Sequence, residues 1–129
     1  MAELPSRLLV VDDDTSLLQL LQKYLTRLGY EVVACTGGGQ AWQQFESQPD
    51  RFSLVLADLT LHDMPGEELL IRILSLRPLM PVLVCSGYPF NVEKLGTPSS
   101  SRVAFLQKPF VPKMLAEAVE GLLGQRLVS

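Results

Sequence analysis

Short apolar runs alternate along this chain with stretches whose apolar residues recur every three or four positions. The runs at 8–11, 31–35, 52–57, 81–85 and 103–107 are rich in Val, Leu and Ala. Near-continuous runs of that length read as strands buried on both faces of a parallel sheet. After the first run, Leu17, Leu20, Leu21, Tyr24, Leu25 and Leu28 mark one helical face, with Thr15 as the predicted N-cap and Gly29 as the stop. Further helices are expected around 41–46, over 66–76 and over 111–123, and Pro78 must follow the second of these rather than interrupt it. The stretch 86–102 carries Pro89, Pro98, two glycines and Ser99-Ser100-Ser101, so any helix there is short, about 91–95. This βαβα alternation predicts an α/β fold, with right-handed crossovers placing helices on both faces of a five-stranded parallel sheet.

At 129 residues the chain is expected to be a single domain (1–129, core about 7–123) that buries roughly two-thirds of its unfolded surface. A net charge of −3 and eleven scattered basic residues count against a nucleic-acid surface, which draws on clustered Lys and Arg. No stretch approaches the ~18–20 apolar residues that span a bilayer, and the first residues show no secretory pattern, so the expected location is cytoplasmic. Cys35 and Cys85 each close an apolar run and read as small buried hydrophobes. His62 lies in a loop without a second His or a Cys nearby, which counts against zinc.

Three of the apolar runs end in chemistry. The first leads into Asp12-Asp13-Asp14, the third into Asp58, and the fifth through Gln107 into Lys108-Pro109. Ligands of open α/β sheets bind outside the carboxyl ends of the strands, so these groups are expected to converge on one pocket. Clustered carboxylates either raise their pKa values or bind a cation, and hard oxygen donors suit Mg²⁺. Asp13, Asp58 and the backbone carbonyl of Thr60 would ligate it. Asp58, alone at its strand end, could then attack phosphorus, while Lys108 and Ser86 neutralise or hydrogen-bond phosphoryl oxygens. Taken singly, each has an ordinary alternative. Asp12 and Asp13 could cap or be solvated, Asp14 belongs at a helix start, Ser86-Gly87 is a turn signal, and Lys108-Pro109 is a common surface pair.

Four segments resemble the receiver domain of bacterial response regulators: LLVVDDD (8–14), LVLADLTLHDMPG (54–66), VLVCSGY (82–88) and FLQKPF (105–110). The resemblance covers nearly everything from Arg7 to Leu123. It implies a flavodoxin-like, doubly wound five-stranded parallel sheet of order 2-1-3-4-5. It implies Asp58 as phosphoacceptor, Asp12 and Asp13 as the acidic pair that organises Mg²⁺, and Lys108 and Ser86 as partners of the phosphoryl group. Phe105 falls at the aromatic switch position, and Thr60 and Tyr88 fall where side chains tune phosphoryl lifetime. Lys108-Pro109 is the expected cis peptide. The implied phosphodonor is a phosphohistidine on a histidine kinase or histidine phosphotransfer domain.

The sequence departs from the family pattern in three places. Met64-Pro65-Gly66 replaces the common Met-Asp-Gly, Phe105 lacks a tyrosine hydroxyl, and the helix expected at about 91–95, fourth in chain order, is short and bounded by prolines. Ser-Gly-Tyr-Pro together with Leu-Gln-Lys-Pro-Phe is similar to receivers at the C-terminal end of hybrid histidine kinases. The leading function is therefore a phosphorylation switch of a two-component phosphorelay, catalysing its own phosphorylation and dephosphorylation. The alternatives are a receiver-fold protein-binding module acting without phosphorylation, and a small Mg²⁺-dependent hydrolase.

Overall fold

A computed structural model describes residues 5–95 and 102–124. The strands are β1 (Arg7–Val11), β2 (Glu31–Cys35), β3 (Leu54–Asp58), β4 (Val82–Ser86) and β5 (Val103–Gln107). The helices are α1 (Thr15–Arg27), α2 (Gly38–Ser47), α3 (Gly66–Leu76) and α4 (Pro112–Leu123), and 3₁₀ turns occupy Pro49–Arg51 and Val92–Leu95. All strand pairs are parallel, in the order β2-β1-β3-β4-β5. This is the flavodoxin-like arrangement expected from the sequence.

Alternation along the strands divides the core in two. Leu9, Val11, Val55, Ala57, Val82 and Val84 pack with α2 and α3, and the half-buried Phe105 joins them. Leu8, Val10, Leu54, Leu56, Leu83, Cys85 and Leu106 pack with α1 and α4. Phe45 of α2 is fully buried and stacks on Trp42 and Phe52, at 6.5 and 5.8 Å between centroids. Removing its ring would cost about 3–5 kcal/mol. Both cysteines are free and buried, and burial pushes their thiol pKa values up, to about 11 for Cys35 and about 12 for Cys85.

Element boundaries differ from the sequence expectations where tertiary contacts intervene. The N-cap of α1 is Asp14, not Thr15, because the Asp14 carboxylate accepts the Leu17 N–H at 3.1 Å. Gly29, at φ 101°, ends that helix as expected. Helix α2 starts at Gly38, three residues before the expected 41. Strand β3 begins at Leu54 rather than 52, since Pro49–Arg51 forms a 3₁₀ turn. Strand β4 runs one residue later than expected, and α4 starts at Pro112, where a missing N–H costs nothing. The short helix expected at 91–95 is the 3₁₀ turn Val92–Leu95, and the three serines lie outside the described residues.

The strand ladders continue just past the carboxyl ends of the sheet. Asp12 N–H donates to the Cys35 carbonyl (3.1 Å), Leu59 N–H to Cys85 (3.3 Å) and Lys108 N–H to Ser86 (2.7 Å). These bonds carry all five strands to one common edge in register.

Candidate functional site

Asp12, Asp13 and Asp58 offer carboxylate oxygens that all lie within 4.8 Å of one another. Asp12 is 1% exposed, and both of its oxygens are engaged. Oδ1 accepts the Asp14 N–H at 2.9 Å, and Oδ2 accepts from Lys108 Nζ at 2.8 Å. Asp12 therefore anchors the turn and the lysine. Asp13, half-buried, and Asp58 complete the carboxylate cluster. This hard oxygen set fits Mg²⁺, which takes one or two carboxylates and keeps several waters.

Lys108 Nζ also lies 3.6 Å from Asp58 Oδ1. Burial draws the Lys108 pKa down, but the hydrogen bond and charge of Asp12 and the charge of Asp58 outweigh it, leaving the ammonium raised and firmly protonated. Burial likewise raises the Asp58 pKa. Lys108 and the Thr60 backbone N–H oppose that rise, while the charges of Asp12 and Asp13 add to it. A carboxylate destabilised by burial and by two like charges is primed to gain a cation. The Lys108-Pro109 peptide is cis, as expected.

Ser86 and Phe105 are placed differently. Ser86 is buried at the end of β4, and its Oγ accepts the Tyr88 N–H at 3.1 Å. By strand alternation its side chain leaves the sheet on the side of Val84, the face Phe105 shares, whereas Asp58 leaves on the side of Leu56. Val84 and Phe105 are register partners. Tyr88 is exposed, as is Thr60.

Two loop residues matter more than the sequence suggested. His62, read as isolated, places Nδ1 3.6 Å from Asp13 Oδ2. Asp63 was not singled out at all, yet its carboxylate accepts the N–H groups of Gly38 and Gly39, each at 2.9 Å. Those bonds hold its pKa below the usual carboxylate value. Its partners lie 24 and 25 residues away, so no local pattern could reveal them.

The response regulator receiver domain family matches residues 8–120. The transcriptional regulatory protein GlrR of Escherichia coli is 31% identical over 125 residues, covering 97% of this chain and 28% of its own length. The chemotaxis protein CheY of Thermotoga maritima is 30% identical over 115 residues, covering 88% of this chain and 93% of its own. The crystal structure of a CheY-like response regulator receiver domain protein from Methanospirillum hungatei superposes with a TM-score of 0.83 at 32% identity, covering 93% of this chain and 94% of that one. The chain spans only about three-tenths of the length of the first curated relatives it matches.

Proposed function

This chain belongs to the response regulator receiver domain family of two-component signalling, and from that premise we propose that Asp58 is its phosphoacceptor. The observation that carries this reading is the Asp12–Asp13–Asp58 cluster bound to Lys108 at one sheet edge. An Asp58 carboxylate oxygen attacks the phosphorus of a partner's phosphohistidine. The O–P bond forms as the N–P bond breaks, and the departing imidazole keeps the electron pair and takes a proton from solvent. Bound by Asp13, Asp58 and the Thr60 carbonyl, Mg²⁺ would offset the charge on the phosphoryl oxygens. Lys108, already held between Asp12 and Asp58, neutralises a further oxygen without reorganising.

The new phosphoryl group then draws the Ser86 hydroxyl away from the Tyr88 N–H, and the side of the sheet shared with Phe105 repacks. Water returns the acyl phosphate to carboxylate at a rate set by Thr60 and Tyr88. The donor is a histidine kinase or a histidine phosphotransfer domain in the cytoplasm. No described helix is long and apolar enough to cross a membrane. The domain serves equally as a receiver within a hybrid kinase or as a separate regulator.

Intact mass after incubation with acetyl phosphate tests this directly. A gain of one phosphoryl group, base-labile and dependent on both Mg²⁺ and Asp58, is expected, with none in Asp58→Asn. No gain and no Mg²⁺ binding would leave the second reading, a binding module working without phosphorylation. That alternative draws on the exposed Tyr88 and on the four-residue 3₁₀ turn at Val92–Leu95.

A further inference from the structure

The run Gly37-Gly38-Gly39 has no part in the phosphoryl chemistry above, yet it meets the loop that carries Thr60. Neither Gly37 nor Gly38 has a positive φ, so these positions do not use the left-handed backbone open to glycine. They use its small size. A Cβ on Gly37 would sit 3.0 Å from Asp63 Oδ2, and one on Gly38 would sit 2.5 and 2.7 Å from Cγ and Sδ of Met64.

Through that opening, Asp63 Oδ1 accepts from Gly38 N–H and Oδ2 from Gly39 N–H, each at 2.9 Å. The N-cap residue of α2, Gly37, has no side chain to do this, so the cap arrives from across the fold. The other end of the same loop is closed by Gly66, whose N–H donates to the Leu59 carbonyl at 3.0 Å. A Cβ at Gly66 would meet the Asp58 carbonyl oxygen and Leu59 Cα at 2.6 Å. The loop is thus packed on the backbone of Asp58 at its base and pinned to α2 at its tip. Thr60 lies between the two fixed points. Groups outside a ligand shell often set metal affinity by fixing the elements that present the ligands.

Resting on the assignment of Asp58 and Thr60 above, we infer that Asp63 is a positioning residue. Its two-pronged clamp on the start of α2 holds the loop so that the Thr60 carbonyl and the Asp58 carboxylate meet Mg²⁺ together. A residue that merely capped α2 would change thermal stability and leave metal affinity alone.

The test is a Mg²⁺ titration of the full chain followed by amide NMR, well below the melting temperature, with thermal unfolding measured alongside. In wild type, Mg²⁺ is expected to shift the Gly38 and Gly39 amides as well as those of Asp58 and Thr60. Asp63→Ala should weaken Mg²⁺ binding about tenfold, at the low end for loss of outer support. Asp63→Asn, which keeps one acceptor oxygen, should fall between them, and labelling by acetyl phosphate should slow in the same order. Equal Mg²⁺ affinity in all three proteins would overturn the inference and leave Asp63 a helix cap. If Asp63→Ala does not fold, Asp63→Asn against wild type decides the same question. A wild type that neither binds Mg²⁺ nor accepts a phosphoryl group would instead overturn the assignment of Asp58, and this inference with it.

Discussion

Asp12 and Tyr88 both stand just beyond the carboxyl ends of strands in one sheet, and they are held in opposite ways. Asp12 is 1% exposed and has a donor on each carboxylate oxygen, one of them an ammonium 96 residues away. Tyr88 is 75% exposed, and its backbone N–H rests on the Ser86 hydroxyl. The acidic corner at β1, β3 and β5 is preorganised, as electrostatic stabilisation of a transferring phosphoryl group requires. Among the described residues, the corner after β4 presents a proline, an exposed ring and a 3₁₀ turn in place of a regular helix. The proposed chemistry and the proposed response thus occupy neighbouring strand ends, divided between the two faces of the sheet by strand alternation.

Removing the ion that pins the first corner should sharpen this contrast most. Lys108→Ala leaves Asp12 buried without its counter-charge, and urea unfolding at neutral pH is expected to show a loss of about 3 kcal/mol. An unchanged midpoint would mean that Lys108 does not hold the corner together.

Asp58→Asn acts in the other direction. Burial raises the Asp58 pKa above its unfolded value, so the folded state holds this proton more tightly than the unfolded chain. Asp58 therefore costs stability increasingly as pH rises from the unfolded pKa through the raised folded value. The asparagine variant should be more stable at pH 7, on the order of 1 kcal/mol, and should lose that advantage in acid. Thermal melts at pH 7 and pH 3.5 check both the sign and the window. Mg²⁺ affinity of the wild type should fall over the same acidic window, because the ion needs the carboxylate.

Smaller effects are expected at the second corner. Ser86→Ala withdraws the acceptor of the Tyr88 N–H and should cost about 1 kcal/mol. Asp58 should still be labelled, but Phe105 and its neighbours should no longer shift on phosphorylation, as read by amide NMR. A full spectral response in Ser86→Ala would sever the proposed link between the two corners.

Least of all, Tyr88→Ala should stay within about 0.5 kcal/mol of wild type in stability. Its phosphoryl half-life should nonetheless change, as should that of Thr60→Ala. Unchanged decay in both would remove these side chains from control of lifetime.

Much of this was legible from local pattern. Strands β2 and β5 and helix α3 occupy the residues expected, because their ends are marked by Gly29, Lys108 and Pro78 within a few positions. The start of α2 was missed because its cap, Asp63, belongs to another loop. The N-cap of α1 was misplaced by one residue between two good capping types, Asp14 and Thr15, a choice that only backbone geometry settles.

By itself, the sequence determined the alternation of buried strands and amphipathic helices, and with it the placing of Asp12, Asp13, Asp58, Ser86 and Lys108 at strand ends. Apolar period and turn chemistry act over a few residues, so they can be read along the chain. The tertiary structure alone decided that Lys108 takes one oxygen of Asp12 and that Asp12, Asp13 and Asp58 form one carboxylate cluster. It also decided that His62 reaches Asp13 and that Asp63 ties the Asp58 loop to α2. Apart from the local Asp14 N–H on Asp12, those contacts join segments 24 to 96 residues apart, and they exist only once parallel pairing has brought the strand ends into register.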